Sequence, residues 1–213
     1  MDKLVIFGGT GGIGKKLVPF FNDVYNVMAL GSKDVNILDF GEVDKFFSEN
    51  TDTKVIINMC GVSVNSFMHK IPYQDIIKQT NINTGSSFIL RACLPYMRAN
   101  KYGRIILASS ILAKKTVMGT AIYSATKSFV ETLARVTAAE NAIHNITINA
   151  LRMGYMDAGL TYTIPEGIRE NIKKSIPAGE FGDIENLAIL VNAIIDAPYI
   201  NGASIDVSGG LNG

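Results

Sequence analysis

A chain of 213 residues with 47% apolar and 18% charged residues has the material for one sizeable packed domain. Twenty basic against nineteen acidic side chains leave a net charge of +1, which argues against a nucleic-acid backbone or an anionic membrane surface as partner. No apolar run approaches the roughly 20 residues of a membrane span.

The N-terminal "MDKLVIFGGTGGIG" carries no signal-peptide pattern, and Cys60 and Cys93 match neither metal-ligand nor redox spacing. Buried thiols in a reducing, cytoplasmic protein without a metal site are therefore expected. "KLVIF" (3–7) predicts the first strand, and "FGGTGGIG" (7–14) predicts a glycine loop opening a helix over 12–21. Gly8 allows the tight turn, Gly12 lets a pyrophosphate approach the backbone, and Gly14 lets the helix pack on the sheet. The candidate nucleotide contacts of this loop are Gly8, Thr10, Gly12, Ile13 and Gly14. "NVMAL" (26–30) predicts a second strand that runs into Gly31-Ser32-Lys33-Asp34. A hydroxyl and an ammonium there, Ser32 and Lys33, suit a ribose 2′-phosphate, so NADP(H) is favoured over NAD(H); Asp34 keeps NAD(H) open.

Between that strand and "VNIL" (35–38) lie only four residues, whereas a parallel crossover needs about a dozen. A sheet shortened at this edge follows, with 35–38 a brief extended segment. A helix is predicted over 40–49 with Asp39 as N-cap and Glu42 as its capping-box partner. Strands follow at 54–59, 104–108, 146–151 and 204–207, and helices at about 73–99, 122–143 and 183–196. Continuous apolar strands alternating with helices describe one α/β domain over 1–213, a doubly wound parallel sheet of the Rossmann type. Residues 157–180, rich in Gly, Pro, Tyr and Thr with only a short helical patch, form the one extended irregular connection and a candidate substrate lid.

Chemistry concentrates in "AIYSATKSFVETL" (121–133), where Tyr123 and Lys127 share one helix face at i and i+4. A nearby ammonium favours the phenolate and brings the tyrosine within reach of acid–base work. "GRIILASS" (103–110) ends in two serines at the carboxyl end of a buried strand, where parallel sheets bind ligands. Ser110 is placed there to hold a carbonyl oxygen that Tyr123 protonates.

These motifs, with N-M-C-G at 58–61, T-N-I at 80–82, I-T-I-N-A at 146–150 and G-A-S-I-D-V-S-G-G at 202–210, resemble the short-chain dehydrogenase/reductase family over the whole chain. The resemblance implies hydride transfer between NAD(P)(H) and a ketone or secondary alcohol, with Asn81, Ser110, Tyr123 and Lys127 as the catalytic set. It also implies that Tyr123 and Lys127 contact the cofactor, Lys127 through the nicotinamide ribose, and that Asn81 fixes a water relaying protons to the lysine. Asn36 and Ile37 would contact adenine, Asn58, Cys60 and Gly61 would line the adenosine and ribose, and Gly154 and Met156 would flank the nicotinamide. The chain departs from the family pattern at Met59, Met153, Ala158 and Glu180.

Within the family the chain looks most like 3-oxoacyl-acyl-carrier-protein reductases, through "GRIILASS", "SIPAGEFGDIENLA" and "YINGASIDVSGG". That likeness implies a small ketone or alcohol substrate, including a carrier-bound 3-ketoacyl thioester, with Lys101 and His144 at positions that dock the carrier. Sugars, steroids and small ketones stay open as substrates, and so does a nucleotide-sensing member without turnover. Apolar residues on several faces of the helices at 73–99 and 122–143 imply a homodimer or homotetramer.

Overall fold

Six strands form one parallel sheet: β1 (Lys3–Phe7), β2 (Asn26–Leu30), β3 (Thr53–Asn58), β4 (Gly103–Ser110), β5 (Ile146–Met153) and β6 (Ser204–Val207). Their spatial order is β2-β1-β3-β4-β5-β6. The computed structural model describes residues 1–211, so the last two residues of the domain expected over 1–213 lie outside the described residues. The direction of strand addition reverses between β1 and β3, and this is where a crevice opens beyond the carboxyl ends of the strands.

Both faces of the sheet are apolar because successive side chains point to opposite sides. Val5, Phe7, Ile56, Ile105, Leu107 and Ile148 pack under α2 (Phe40–Glu49), α4 (Ser86–Asn100) and α5 (Ala121–Asn141). Leu4, Ile6, Val55, Ile57, Ile106 and Leu151 face α1 (Gly12–Leu17) and α7 (Ile184–Asp196). Two further helices complete the fold: α3 (Tyr73–Thr84), which packs on α5, and α6 (Glu166–Ser175) beside the cleft. No helix among the described residues is long and apolar enough to cross a membrane.

The edge beyond β2 is shortened as expected, and 35–38 forms no strand: residues 35 and 36 sit between turns at 32–34 and 37–38. The Asp34 carboxylate accepts the Gly31 N–H at 2.8 Å and the Asn36 side chain accepts the Leu38 N–H at 3.1 Å, so side chains satisfy the backbone locally. The Asp39 cap is present, with its carboxylate accepting the Glu42 N–H at 3.1 Å. Glu42 completes no capping box, because its carboxylate turns to the Asn36 N–H at 2.8 Å.

The single helix expected over 73–99 is two helices that meet at Gly85. The junction is tight: a Cβ at Gly85 would lie 2.8 Å from Ile37 Cδ1. The Ile37 side chain is thereby committed to the core, which leaves only its backbone for the adenine contact assigned to it.

Candidate active site

A cleft of about 1130 Å³ runs along the carboxyl ends of the strands, and it joins the glycine loop to the tyrosine and the lysine of α5. At one end Gly8, Gly11, Gly12 and Ile13 line it, opposite Met59, Cys60 and Gly61 after β3. Gly8 holds φ +74, and a Cβ there would sit 3.0 Å from backbone atoms of Met59 and Cys60. No other residue fits that crossing of the two loops. The N-cap of α1, Gly11, carries no side-chain acceptor and the first turn holds no acidic residue. The amides at this helix start are thus left for an anionic group, and the dinucleotide's phosphates fit the loop.

Gly14 packs so closely that a Cβ would overlap the Gly8 carbonyl, while Thr10 stands over Gly31 at the end of β2 with no room for a Cβ on Gly31. Asn58 is buried and its side chain accepts the Cys60 N–H at 3.1 Å, which shapes the loop after β3. Ser32 and Lys33, on a turn, and Asn36 are exposed and lie outside the cleft lining. Gly154 and Met156 line the cleft after β5, and Met156 is fully enclosed.

At the other end, β4 delivers Ser110 and α5 delivers Tyr123 and Lys127 into the same cleft. The Ser110 hydroxyl accepts the Leu112 N–H at 3.2 Å and lies near enough to the Tyr123 phenol to oppose the rise that burial causes. Lys127 is 3% exposed, with Nζ donating to the Ala108 carbonyl at 2.8 Å and lying 5.6 Å from the centre of the Tyr123 ring.

The electrostatics reverse one expectation. Burial pushes the Tyr123 phenol above its usual range, aided by the Tyr155 phenol and opposed by Ser110. Lys127 does not offset this, and burial pulls its own ammonium down to about 8 while the Cys60 thiol opposes the fall. Burial likewise pushes the Cys60 thiol up to about 11, which makes it an inert wall of the cleft.

A second correction concerns the asparagine. Asn81 is exposed on the outer face of α3, whereas Asn83 is 2% exposed and faces the cleft machinery. Its side chain accepts the Val62 N–H at 2.8 Å, donates to the Val62 carbonyl at 2.9 Å and donates to Thr126 Oγ1 at 3.0 Å. Gln79, one turn earlier, clasps Val64 in the same way, accepting its N–H at 2.9 Å and donating to its carbonyl at 3.1 Å. The i, i+4 spacing of two amide side chains was the signal available in the sequence.

Behind the cleft lies a charge network absent from the sequence reading. Arg152 grips Glu131 through two hydrogen bonds of 2.8 and 2.7 Å and Asp206 at 2.7 Å, and Ser109 donates to Glu131 at 2.7 Å. It ties α5 to β4, β5 and β6 beside Ser110. Lys101 and His144, by contrast, precede β4 and β5 and so lie at the opposite end of the sheet. The seven steps from Gly103 to Ser110 put roughly 23 Å between that end and the cleft.

A family model described as "Enoyl-(Acyl carrier protein) reductase" matches residues 35–212. A 3-oxoacyl-[acyl-carrier-protein] reductase of Rattus norvegicus is 28% identical over 99% of this chain and 98% of its own. The 3-oxoacyl-[acyl-carrier-protein] reductase FabG of Aquifex aeolicus is 27% identical over 98% and 86%, and MabA of Mycobacterium bovis is 29% identical over 84% and 75%. A glycine loop at the switch point of a parallel sheet, facing serine, tyrosine and lysine across one cleft, agrees with these likenesses, and the chain belongs to the short-chain dehydrogenase/reductase family of oxidoreductases.

Proposed function

We propose that the chain reduces a ketone flanked by an apolar arm, a 3-ketoacyl thioester first among the candidates, with NADPH as the preferred reductant. The observation that carries this reading is the placement of Ser110, Tyr123 and Lys127 in one cleft with the glycine loop. Gly8, Gly12 and Ile13 would hold the phosphates, Cys60 and Gly61 the adenosine ribose, Lys127 the nicotinamide ribose, and Gly154 and Met156 the carboxamide side. When bound, the dinucleotide supplies the hydride for the carbonyl carbon.

Ser110 donates to the substrate carbonyl oxygen, and Tyr123, kept protonated by burial, delivers its proton to that oxygen as the hydride arrives. Lys127, pulled down to about 8, exchanges protons near neutrality and restores the phenol. Asn83 holds the Val62 loop and Thr126, so it fixes the geometry around Lys127 and takes the relay role expected of Asn81.

Leu112, Val117, Leu160, Ile164, Ile168 and Ile172 line the cleft, a wall that favours an aliphatic arm over a sugar. The relatives named 3-oxoacyl-[acyl-carrier-protein] reductases support the acyl thioester. NADPH over NADH rests on the turn after β2: Ser32 and Lys33 are exposed, while the Asp34 carboxylate is turned back on Gly31 N–H. The exposed Ala125, Phe129 and Val136 on the outer face of α5 support a homodimer or homotetramer, and one buried and one half-buried free thiol suit a reducing cytoplasm. The segment at 157–180 serves as the substrate lid.

Titrations with NADPH and NADH followed by turnover of an acetoacetyl thioester test the proposal. Tyr123→Phe should keep dinucleotide affinity and lose at least about 10²-fold in kcat. Unchanged turnover in that variant refutes the catalytic assignment, and equal affinity for the two dinucleotides refutes the role of Ser32 and Lys33.

A further inference from the structure

The segment that leaves β5 does not hang free over the cleft. Ala158 and Thr161 are buried, and Gly159, at φ +61, lies against the start of α1, where a Cβ on Gly12 would come 2.9 Å from Gly159 Cα. Around this contact four side chains converge. Lys16 Nζ donates to the Asp157 carbonyl at 2.7 Å, and the Tyr162 hydroxyl donates to the Asp157 carboxylate at 2.5 Å. Lys16 Nζ is 5.8 Å and the Arg169 guanidinium 5.1 Å from the centre of the Tyr162 ring. Neither cation is committed to a close ion pair: the Arg169 contact with Glu166 is 3.9 Å long, and Lys16 meets a carbonyl.

We infer that Tyr162 is a positioning residue that latches the 157–175 segment to the glycine-loop end of α1 and thereby sets how tightly the dinucleotide is held. It bridges three elements at once: α1 through Lys16, the strand-exit loop through Asp157, and α6 through Arg169. Because Gly159 touches Gly12 in the loop assigned to the phosphates, any loosening of the latch reaches the cofactor before it reaches Ser110 and Tyr123, which stand on β4 and α5. The latch therefore acts on binding, of the cofactor first and of the substrate arm along Leu160 and Ile164, and leaves the chemical step intact. A cation–π pair and a charge-assisted hydrogen bond are separable here, since phenylalanine keeps the first and removes the second.

This inference rests on the nicotinamide reading of the cleft. Its test is NADPH binding, followed by the fluorescence of the dinucleotide, beside steady-state kinetics and limited tryptic digestion at Arg169, Lys173 and Lys174. Tyr162→Ala should weaken NADPH binding and raise its KM about tenfold, with kcat within about twofold of wild type. Tyr162→Phe should give about a threefold loss, a partial rescue that cavity formation alone would not produce. Tryptic cleavage in α6 should accelerate in Tyr162→Ala, and NADPH should slow it in the wild type. Wild-type affinity and cleavage in Tyr162→Ala, or a fall in kcat at unchanged KM, overturns the latch. A wild-type protein that binds neither dinucleotide refutes the functional reading first and takes the latch with it.

Discussion

Replacing Asn83 and Asn81 separately by alanine decides which asparagine serves the site. Asn83 is 2% exposed and satisfies three polar groups: the Val62 N–H, the Val62 carbonyl and Thr126 Oγ1. Alanine strands the two backbone groups of a partly buried loop, at about 1–3 kcal/mol per unpaired group in full burial. Thr126 keeps its bond to the Tyr123 carbonyl at 2.7 Å and adds little. Discounting for the partial exposure of Val62, the loss should be about 2–3 kcal/mol. With an m-value of roughly 2–3 kcal/mol/M, the urea midpoint should fall by about 1 M. Asn81 is exposed and makes no side-chain hydrogen bond among the described residues, so Asn81→Ala should stay within about 0.5 kcal/mol. Turnover should follow the same split, with Asn83→Ala losing about 10²-fold or more and Asn81→Ala keeping wild-type rates. Urea unfolding by circular dichroism and dinucleotide-coupled ketone turnover read both. A silent Asn83→Ala beside an inactive Asn81→Ala would refute the placement.

Lys127→Met should abolish turnover yet raise stability relative to wild type at pH 7. The folded lysine is pulled from 10.5 to about 8, so its ammonium costs stability below pH 8, and that cost is relieved as pH rises from about 8 toward 10.5. The stability gap between variant and wild type should shrink over that window, and a gap independent of pH would contradict the burial of a charged Nζ. Glu131→Gln keeps the shape of the network but deprives the Arg152 guanidinium, whose side chain is 13% exposed, of its main counter-charge. A loss of about 2 kcal/mol is expected in thermal or urea unfolding, and a change below about 0.5 kcal/mol would show the network to be ornamental. Gly8→Ala must place a side chain at φ +74 and against the backbone of Met59 and Cys60, so it should cost about 2 kcal/mol or more and abolish dinucleotide binding. Wild-type binding in that variant would mean the two loops do not cross as described.

What the sequence alone determined is what local chemistry and period dictate. Four- and five-residue runs marked the strands β1, β2 and β6 to the residue, although only β1 is buried on both faces and β2 and β6 are mostly half-buried edge strands. The glycine loop, the Asp39 cap and the Tyr123/Lys127 pair were legible because each depends on neighbours within one or two turns. Only the tertiary structure decided what depends on the phase and depth of an element against the rest of the molecule. Asn81 and Asn83 differ by two positions, and which one faces inward follows from how α3 docks on α5 and the Val62 loop. At the break, Gly85 leaves room for the Ile37 side chain from a distant turn, a contact no local spacing announces. Burial, which no spacing encodes, turned Lys127 from a fully charged partner into a group titrating near 8 and raised Tyr123 instead of lowering it. Lys101 and Ser110 are nine positions apart, yet the strand between them carries the two to opposite ends of the sheet.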